Sequence, residues 1–307
     1  MLNPQSDLSV VMTCYREGRL LLEGIQSVLS QSVLPREIIL VNDASPDEAT
    51  NQVCRELEKQ GDVTVLWQAQ NGGPSIARNA GFAAASGAIL VPLDADDLLP
   101  EGALAAIAAA FDAHPDAGFI YGSYSRQDRP GENRLVLAKP LTLREMLRSR
   151  PFSLSSNWQL IGTAPLRKWL WEAVGQSDAH MGAADLHDVE FWMRAMALPC
   201  AHYPTDEVIY IWRKYFGQNS KKVTPMAWYR VAKKHFSLYE KEGLAYRAHE
   251  LLLLGSKWMD DRDEIRHYRR CVWQHIRRGE CQFSTIAAFL IPAGLFRRVA
   301  IAAGRQR

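Results

Sequence analysis

The stretch Ala88–Pro100, AILVPLDADDLLP, decides how this 307-residue chain is read. Ala88–Leu93 is a short apolar run, the pattern of a central strand buried on both faces. It ends abruptly in Asp94, Asp96 and Asp97. Three carboxylates within four residues repel one another, and a core has no use for unpaired charge. Such a cluster suits a cation. Hard oxygen ligands select Mg²⁺ or Mn²⁺, ions usually shared with substrate phosphates. In open α/β sheets ligands bind beyond the carboxyl ends of the strands, which is where these aspartates fall. Taken alone, the cluster also reads as an acidic turn capping the helix of Glu101–His114.

The preceding chain supplies the rest of the sheet. Leu8–Thr13, Glu37–Val41 and Val63–Gln68 read as strands. Helices are expected at Arg19–Gln31, from about Ser45 to Gln60, and at Pro74–Ser86. Ser45, Pro46 and Glu48 have the spacing of a capping box that opens the second helix, and Gly61 closes it. Strands alternating with helices at this spacing imply parallel βαβ units with right-handed crossovers. Downstream, Ala117–Tyr124 reads as a strand and Ser125–Lys139 as a polar hairpin around Pro130-Gly131. Helices are expected at Leu141–Arg150, Arg167–Val174 and Asp188–Ala197. Pro151–Thr163, with Asn157 and Trp158, reads as irregular, and Ser177–Leu186 as a loop. Val208–Trp212 is the last expected strand, and beyond Pro225 the pattern is helical.

Composition bounds the class. With 47% hydrophobic and 23% charged residues the chain is globular. It has no Arg-rich tract or zinc-finger spacing, so no nucleic-acid partner is expected. Five scattered cysteines, an odd number, suggest reduced thiols and a cytoplasmic protein. The first residues lack the basic and apolar regions of a signal peptide. Residues 227–307 carry sixteen Lys/Arg against eight Asp/Glu, a net +8, so the remainder is −6. A basic tail on an acidic body hints at an anionic surface.

Chemistry-bearing residues collect at the strand ends. Thr13 and Tyr15 follow the first strand, Asp43 the second, and Arg78 lies beyond the third. With the aspartates they make one edge holding an aromatic face, a carboxylate acceptor, an arginine and a metal-binding cluster. That inventory suits a nucleoside diphosphate: Tyr15 can stack on a base, Asp43 can accept from a base N–H, and Arg78 can face phosphate. Taken singly, Asp43 reads equally as a turn residue, Arg78 as a solvated helix charge and Tyr15 as packing.

The blocks VVMTCYREGRLLLEGIQSVLSQ, IILVNDASPDE, NGGPSIARNAGFAAASG and LDADD, in this order, resemble the family 2 glycosyltransferases over roughly residues 8–215. The resemblance implies an α/β chain of GT-A fold, a Rossmann-like, mostly parallel sheet flanked by helices. Its catalytic domain would span 1–225, and a C-terminal helical extension 226–307. It assigns Thr13, Tyr15, Asp43, Arg78, Asp94 and Arg213 to the nucleotide sugar, and Asp94 and Asp96 to a divalent cation, Mn²⁺ or Mg²⁺. Arg213 enters through Tyr210–Arg213, a looser match, followed by a loop at Lys214–Lys222. The block VGQSDAHMGAADLHDVEFWMRA puts Asp188 on the catalytic-base position.

A carboxylate at a helix N-terminus stays ionised, as a base must. One base with one metal suffices for transfer with inversion, because the metal neutralises the leaving diphosphate. The chain departs from the common pattern at Asn42-Asp43, Arg16-Glu17 and His187-Asp188, where Asp-Asp, Asn-Glu and Glu-Asp are frequent. It lacks the Gln-x-x-Arg-Trp pattern of processive synthases, which implies addition of one sugar at a time. The implied reaction moves a sugar, from a UDP-sugar, to a hydroxyl of a glycan or lipid-linked acceptor of a bacterial envelope. A nucleotidyltransferase and a non-catalytic nucleotide-sugar binder are the rivals. The first expects a Gly-rich basic loop where this chain has TCYREG; the second has no need of Asp188. The apolar tail Ser284–Gly304, broken by Pro292 and Arg297-Arg298, is too short to span a bilayer. It reads either as an interfacial helix, giving peripheral membrane contact, or as a core helix.

Overall fold

The computed structural model describes residues 6–150, 163–181, 186–214 and 223–302. In chain order the elements are β1 (Leu8–Cys14), α1 (Leu20–Leu29), β2 (Glu37–Asn42), α2 (Glu48–Gln60), β3 (Thr64–Trp67), α3 (Pro74–Ala84), β4 (Ile89–Asp94), α4 (Ala103–Ala113), β5 (Ala117–Gln127) and β6 (Arg134–Val136). Then come α5 (Leu143–Leu147), β7 (Leu166–Arg167), α6 (Lys168–Val174), α7 (His187–Ala197) and β8 (Ala201–Arg213). The helices α8 (Pro225–Lys234), α9 (Phe236–Lys241), α10 (Ala245–Met259), α11 (Arg262–Arg277), α12 (Phe283–Leu290) and α13 (Ala293–Ala302) follow. The fold is thus α/β with C-terminal helices, as the sequence indicates.

The chain forms two compact units. The first comprises Met1–Pro140, Leu160–His180 and Leu198–Ser220; the second comprises Leu141–Gln159, Met181–Ala197 and Lys221–Arg307. A cut at residue 225 therefore differs from the division in space: α5 and α7 precede that cut but fold with the helices after it. Their apolar faces, Leu143, Leu147, Val189 and Met193, bury against Val231, Leu244 and Leu251 in one core.

The first unit is one sheet in the order β3-β2-β1-β4-β7-β5-β6, with β8 paired parallel to β5. β1, β2, β3 and β4 are parallel, and their apolar residues are buried throughout β1 and β4. Thr13 stands level with Val41 on one side and Asp94 on the other. That register brings the ends of three strands to one edge. α3 lies close to the sheet at Gly81, where an added Cβ would fall 2.4 Å from Val11 Cγ1 and 3.1 Å from Val41 Cγ2. Only a residue without a side chain permits that approach.

Some local expectations change. The N-cap of α2 is Asp47, whose carboxylate accepts from the Thr50 N–H at 2.8 Å, and not Ser45. A carboxylate is the stronger acceptor at a helix start. Ser45 instead donates its hydroxyl to the Tyr15 carbonyl at 2.5 Å and ties the β1 and β2 loops together. β7 was not foreseen: two residues show no periodicity, yet Leu166 pairs with both Leu90 and Phe119. β8 starts at Ala201, seven residues before the expected strand, in a stretch too polar to signal one. The hairpin around Gly131 forms as read, with β5 and β6 antiparallel.

In the second unit two buried ionic groups are fully engaged. Glu190 on α7 accepts from Arg194 (2.8 Å), Lys234 (2.7 Å) and His235 (2.9 Å). Glu250 on α10 pairs with Arg247 and accepts from the hydroxyls of Ser284 (2.8 Å) and Thr285 (3.0 Å) at the start of α12. Lys257 donates to the carbonyls of Ala288 and Ile291, the latter at 2.6 Å, where α12 ends. α13 then leaves at 112° to α12.

Candidate active site

The acidic turn closes the carboxyl end of β4, in the first unit. Asp94 accepts from Arg78 Nη2 at 2.8 Å, so one of the three carboxylates is matched by a cation from α3. Asp97 is 3% exposed and is spent on the fold. It accepts from the Tyr210 hydroxyl at 2.6 Å and from the Arg213 N–H at 2.7 Å, which fastens the end of β8 to the turn. Burial, with the charges of Asp94 and Asp96 beside it, pushes the Asp97 carboxyl up to about 8. Asp96 differs from both. Burial first, then the charges of Asp94 and Glu17, push its carboxyl up to about 6. It stands among like charges, with Arg213 the cation that opposes them.

Asp43 sits at the neighbouring strand end and is 4% exposed. Its carboxylate accepts from the N–H groups of Gly72 and Gly73, both at 2.8 Å, and from Asn71 Nδ2 at 2.9 Å. Those bonds use three of about four acceptor positions on a carboxylate. Asp43 thereby sets the turn from which α3 starts. Gly73 takes φ +82°, open to glycine, and Pro74 follows at the first helical position. One turn later α3 presents Arg78 to Asp94. Asp43 and Arg78 are thus parts of one device.

Tyr15 follows β1 and is half-buried. Its N–H donates to the Glu17 carboxylate at 2.5 Å, and the Arg16 guanidinium carbon lies 5.1 Å from its ring centroid. Thr13, also half-buried, is Asp94's lateral neighbour in the sheet. Arg213 reaches the same edge but is 3% exposed. Its Nε donates to the Asp96 carbonyl at 2.5 Å, and its Nη1 pairs with Glu23 of α1. It braces the acidic turn from behind.

The structure therefore brings Thr13, Tyr15, Asp43, Arg78, Asp94, Asp96 and Arg213 to one edge of one unit. Asp188 belongs to the second unit, half-buried in the first turn of α7. Glu190, two residues on, cannot replace it as a base: it is fully buried and held by Arg194, Lys234 and His235. The loop at 215–222, part of Ser177–Leu186 (182–185) and Asn157 and Trp158 lie outside the described residues. Sequence reasoning missed Asn71, Glu17, Glu23 and the structural use of Asp97. Asn71 alone carried a signal, the Asn-Gly-Gly turn.

Among the described residues no group of three or more His, Cys, Asp or Glu is arranged to hold a metal by itself. A cation shared with a diphosphate needs one or two protein carboxylates only. Asp96, half-buried among like charges, fits that demand.

β1–β4 form a parallel half-sheet whose strand ends carry an acidic turn, an arginine and an aromatic, the edge at which open α/β sheets take their ligands. The family model described as glycosyl transferase family 2 matches residues 9–166, and the chain belongs to that family. The minor teichoic acid biosynthesis protein GgaB of Bacillus subtilis is 37% identical over 134 residues, 42% of this chain but 15% of GgaB. The chain thus spans a minor part of that relative's length. The solved structure of S. aureus TarS 1–349 in complex with UDP-GlcNAc superposes with a TM-score of 0.62 at 18% identity, covering 97% of this chain and 92% of that one. The mannosyltransferase PcManGT from Pyrobaculum calidifontis, in complex with GDP-Man and Mn²⁺, superposes at 0.54 with 15% identity, covering 98% and 81%. Both are likenesses of fold.

Proposed function

We propose that this chain transfers a sugar, with inversion, from a UDP-sugar to a hydroxyl of a glycan or lipid-linked acceptor in cell-envelope polysaccharide synthesis. The observation that carries the reading is the acidic turn: Asp94 held by Arg78, and beside it Asp96, a carboxylate raised by its acidic neighbours. Teichoic acid synthesis by GgaB and the UDP-GlcNAc and Mn²⁺ of the solved neighbours support the donor, cation and pathway class. In this reading Asp96 and Asp94 hold Mn²⁺ or Mg²⁺, which when bound neutralises charge on the leaving diphosphate. Thr13 and Tyr15 receive the nucleoside. Asp43 offers its remaining acceptor position to the base and holds the turn that aims Arg78 at phosphate. Arg213 acts on the donor through the turn it braces. Asp188 takes the proton of the acceptor hydroxyl. The sheet-bearing unit supplies the donor site, and the location is cytoplasmic.

The test is a donor panel of nucleoside-diphosphate sugars with the purified chain, Mn²⁺ or Mg²⁺, and detection of released nucleoside diphosphate. Release of UDP from a UDP-sugar supports the reading. Release of pyrophosphate from nucleoside triphosphate and sugar phosphate would identify a nucleotidyltransferase instead. Tight binding with no turnover across donors and acceptors would leave a binder.

A further inference from the structure

We propose that the outer face of α11, α12 and α13 is a docking surface for an anionic lipid bilayer, with the helices lying in its plane. The inference is independent of the donor and of the chemistry. Fourteen large hydrophobic side chains are exposed among the described residues, and seven of them fall between Trp273 and Ile301. That concentration is not the scattered exposure of an ordinary surface. On α12 Phe283, Ile286 and Leu290 recur at helical spacing and are 41–66% exposed, while Ser284, Thr285 and Ala288 form the buried face. On α13 Leu295 and Val299 point out, while Phe296 and Ala300 pack under Leu254 and Trp258. Both helices have therefore satisfied their inner faces and still show a second apolar face. A core helix has no such surplus.

The buried polar groups fix that arrangement. Glu250 grips the start of α12 through Ser284 and Thr285, and Lys257 grips its end through the Ala288 and Ile291 carbonyls. α12 therefore presents its outer face as a fixed surface.

Charge selects the occupant. From Cys281 to Ala302 there is no Asp or Glu, and Arg298 is exposed among the apolar residues. On the adjoining helix Arg269, Arg270 and Arg277 are exposed beside Trp273. Arg269 lies 4.6 Å over the Phe289 ring, and Trp273 stacks on the same ring at 5.5 Å. Cations and aromatics interleaved with aliphatic side chains are the chemistry of the headgroup layer. In a pairing of two copies the same arginines would meet arginines. No single described helix is long and apolar enough to cross a membrane. α12 is about 12 Å long and α13 about 15 Å, against a hydrocarbon core of about 30 Å, and they diverge at 112°. In-plane contact is the geometry left.

The test uses the full chain with vesicles of phosphatidylcholine containing phosphatidylglycerol and vesicles of phosphatidylcholine alone. Co-sedimentation should require the anionic lipid and weaken with salt. Combined Ile286→Ser, Leu290→Ser and Val299→Ser should reduce it at least ~10-fold. Separately, combined Arg269→Glu, Arg277→Glu and Arg298→Glu should do the same. All six side chains are exposed, and the two sets act on different chemistry, so misfolding of one leaves the other decisive. Binding by both sets equal to the unsubstituted chain would overturn the proposal. So would absence of vesicle binding together with self-association that the serine set abolishes, which would make the face an interface between copies.

Discussion

At the scale of single residues, the three carboxylates of the acidic turn have different fates because their neighbours differ. Asp94 has Arg78, and Asp97 has Tyr210 and a backbone N–H; Asp96 has Asp94 and Glu17. Asp96→Asn should abolish the Mn²⁺-dependent part of UDP affinity in calorimetry and lower transfer by ~10²-fold or more. Its melting temperature should not fall, because the change removes like-charge repulsion from a half-buried turn. Undiminished metal-dependent affinity would take the cation away from Asp96. Asp188→Asn keeps size and capping ability and removes the basic oxygen. Single-turnover transfer should drop by about 10²–10⁴-fold with donor affinity within a few-fold of the parent, since a base acts in the transition state. Wild-type-like transfer would exclude Asp188, and Glu190, sealed by its cations, would not inherit the role.

At the scale of elements, the site depends on how α3 lies on β1 and β2. Gly81→Ala drives a methyl into Val11 Cγ1 and crowds Val41. The expected cost is about 1–3 kcal/mol in denaturant unfolding. Weaker UDP-sugar binding should accompany it, because Arg78 lies one turn upstream and moves with the helix. Adding Val11→Ala opens room and should restore much of both, a coupling that a double-mutant cycle measures. The elements that carry the site are also those the sequence shows best. β1, β2 and β4 are short, mostly apolar runs and α3 opens at Gly73-Pro74, and Thr13, Asp43 and Asp94 are legible because each stands where an apolar run stops. What stayed hidden is tertiary. Nothing local distinguishes Asp97 from Asp96, and the difference comes from Tyr210 more than a hundred residues later. Likewise nothing local shows that Arg213, read as a donor contact, is tied to Glu23 and to the Asp96 carbonyl.

At the scale of the whole molecule, the chain is two units whose segments alternate along the sequence, which a boundary drawn by composition does not capture. The second unit carries its own acid sensitivity in Glu190. Burial would raise this carboxyl, but hydrogen bonds from His235, Arg194 and Lys234 outweigh it and hold it far below the ordinary glutamate range. A depressed carboxylate contributes its full stabilisation above the unfolded value, about 4.3, and loses it progressively as pH falls below that. Glu190→Gln should cost about 3–5 kcal/mol near neutral pH, because it removes the buried charge on which Arg194, Lys234 and His235 converge. The loss should shrink as the medium is acidified below about pH 4. Urea midpoints of both forms across that range check it; a pH-independent difference would mean that packing, and not charge, is what Glu190 supplies.

The fastening of the acidic turn by β8 also has a consequence in time. Asp97 waits for the N–H of Arg213, 116 residues further along, and Leu98 for Ile211. At about 5–20 residues per second of translation, roughly 6–23 s separate the emergence of the aspartates from that of the strand that fixes them. Through that interval a nascent chain on the ribosome can hold Asp94 through Arg78 but has no strand to fasten Asp97, and any ligand that needs the finished turn has nothing to bind until β8 arrives.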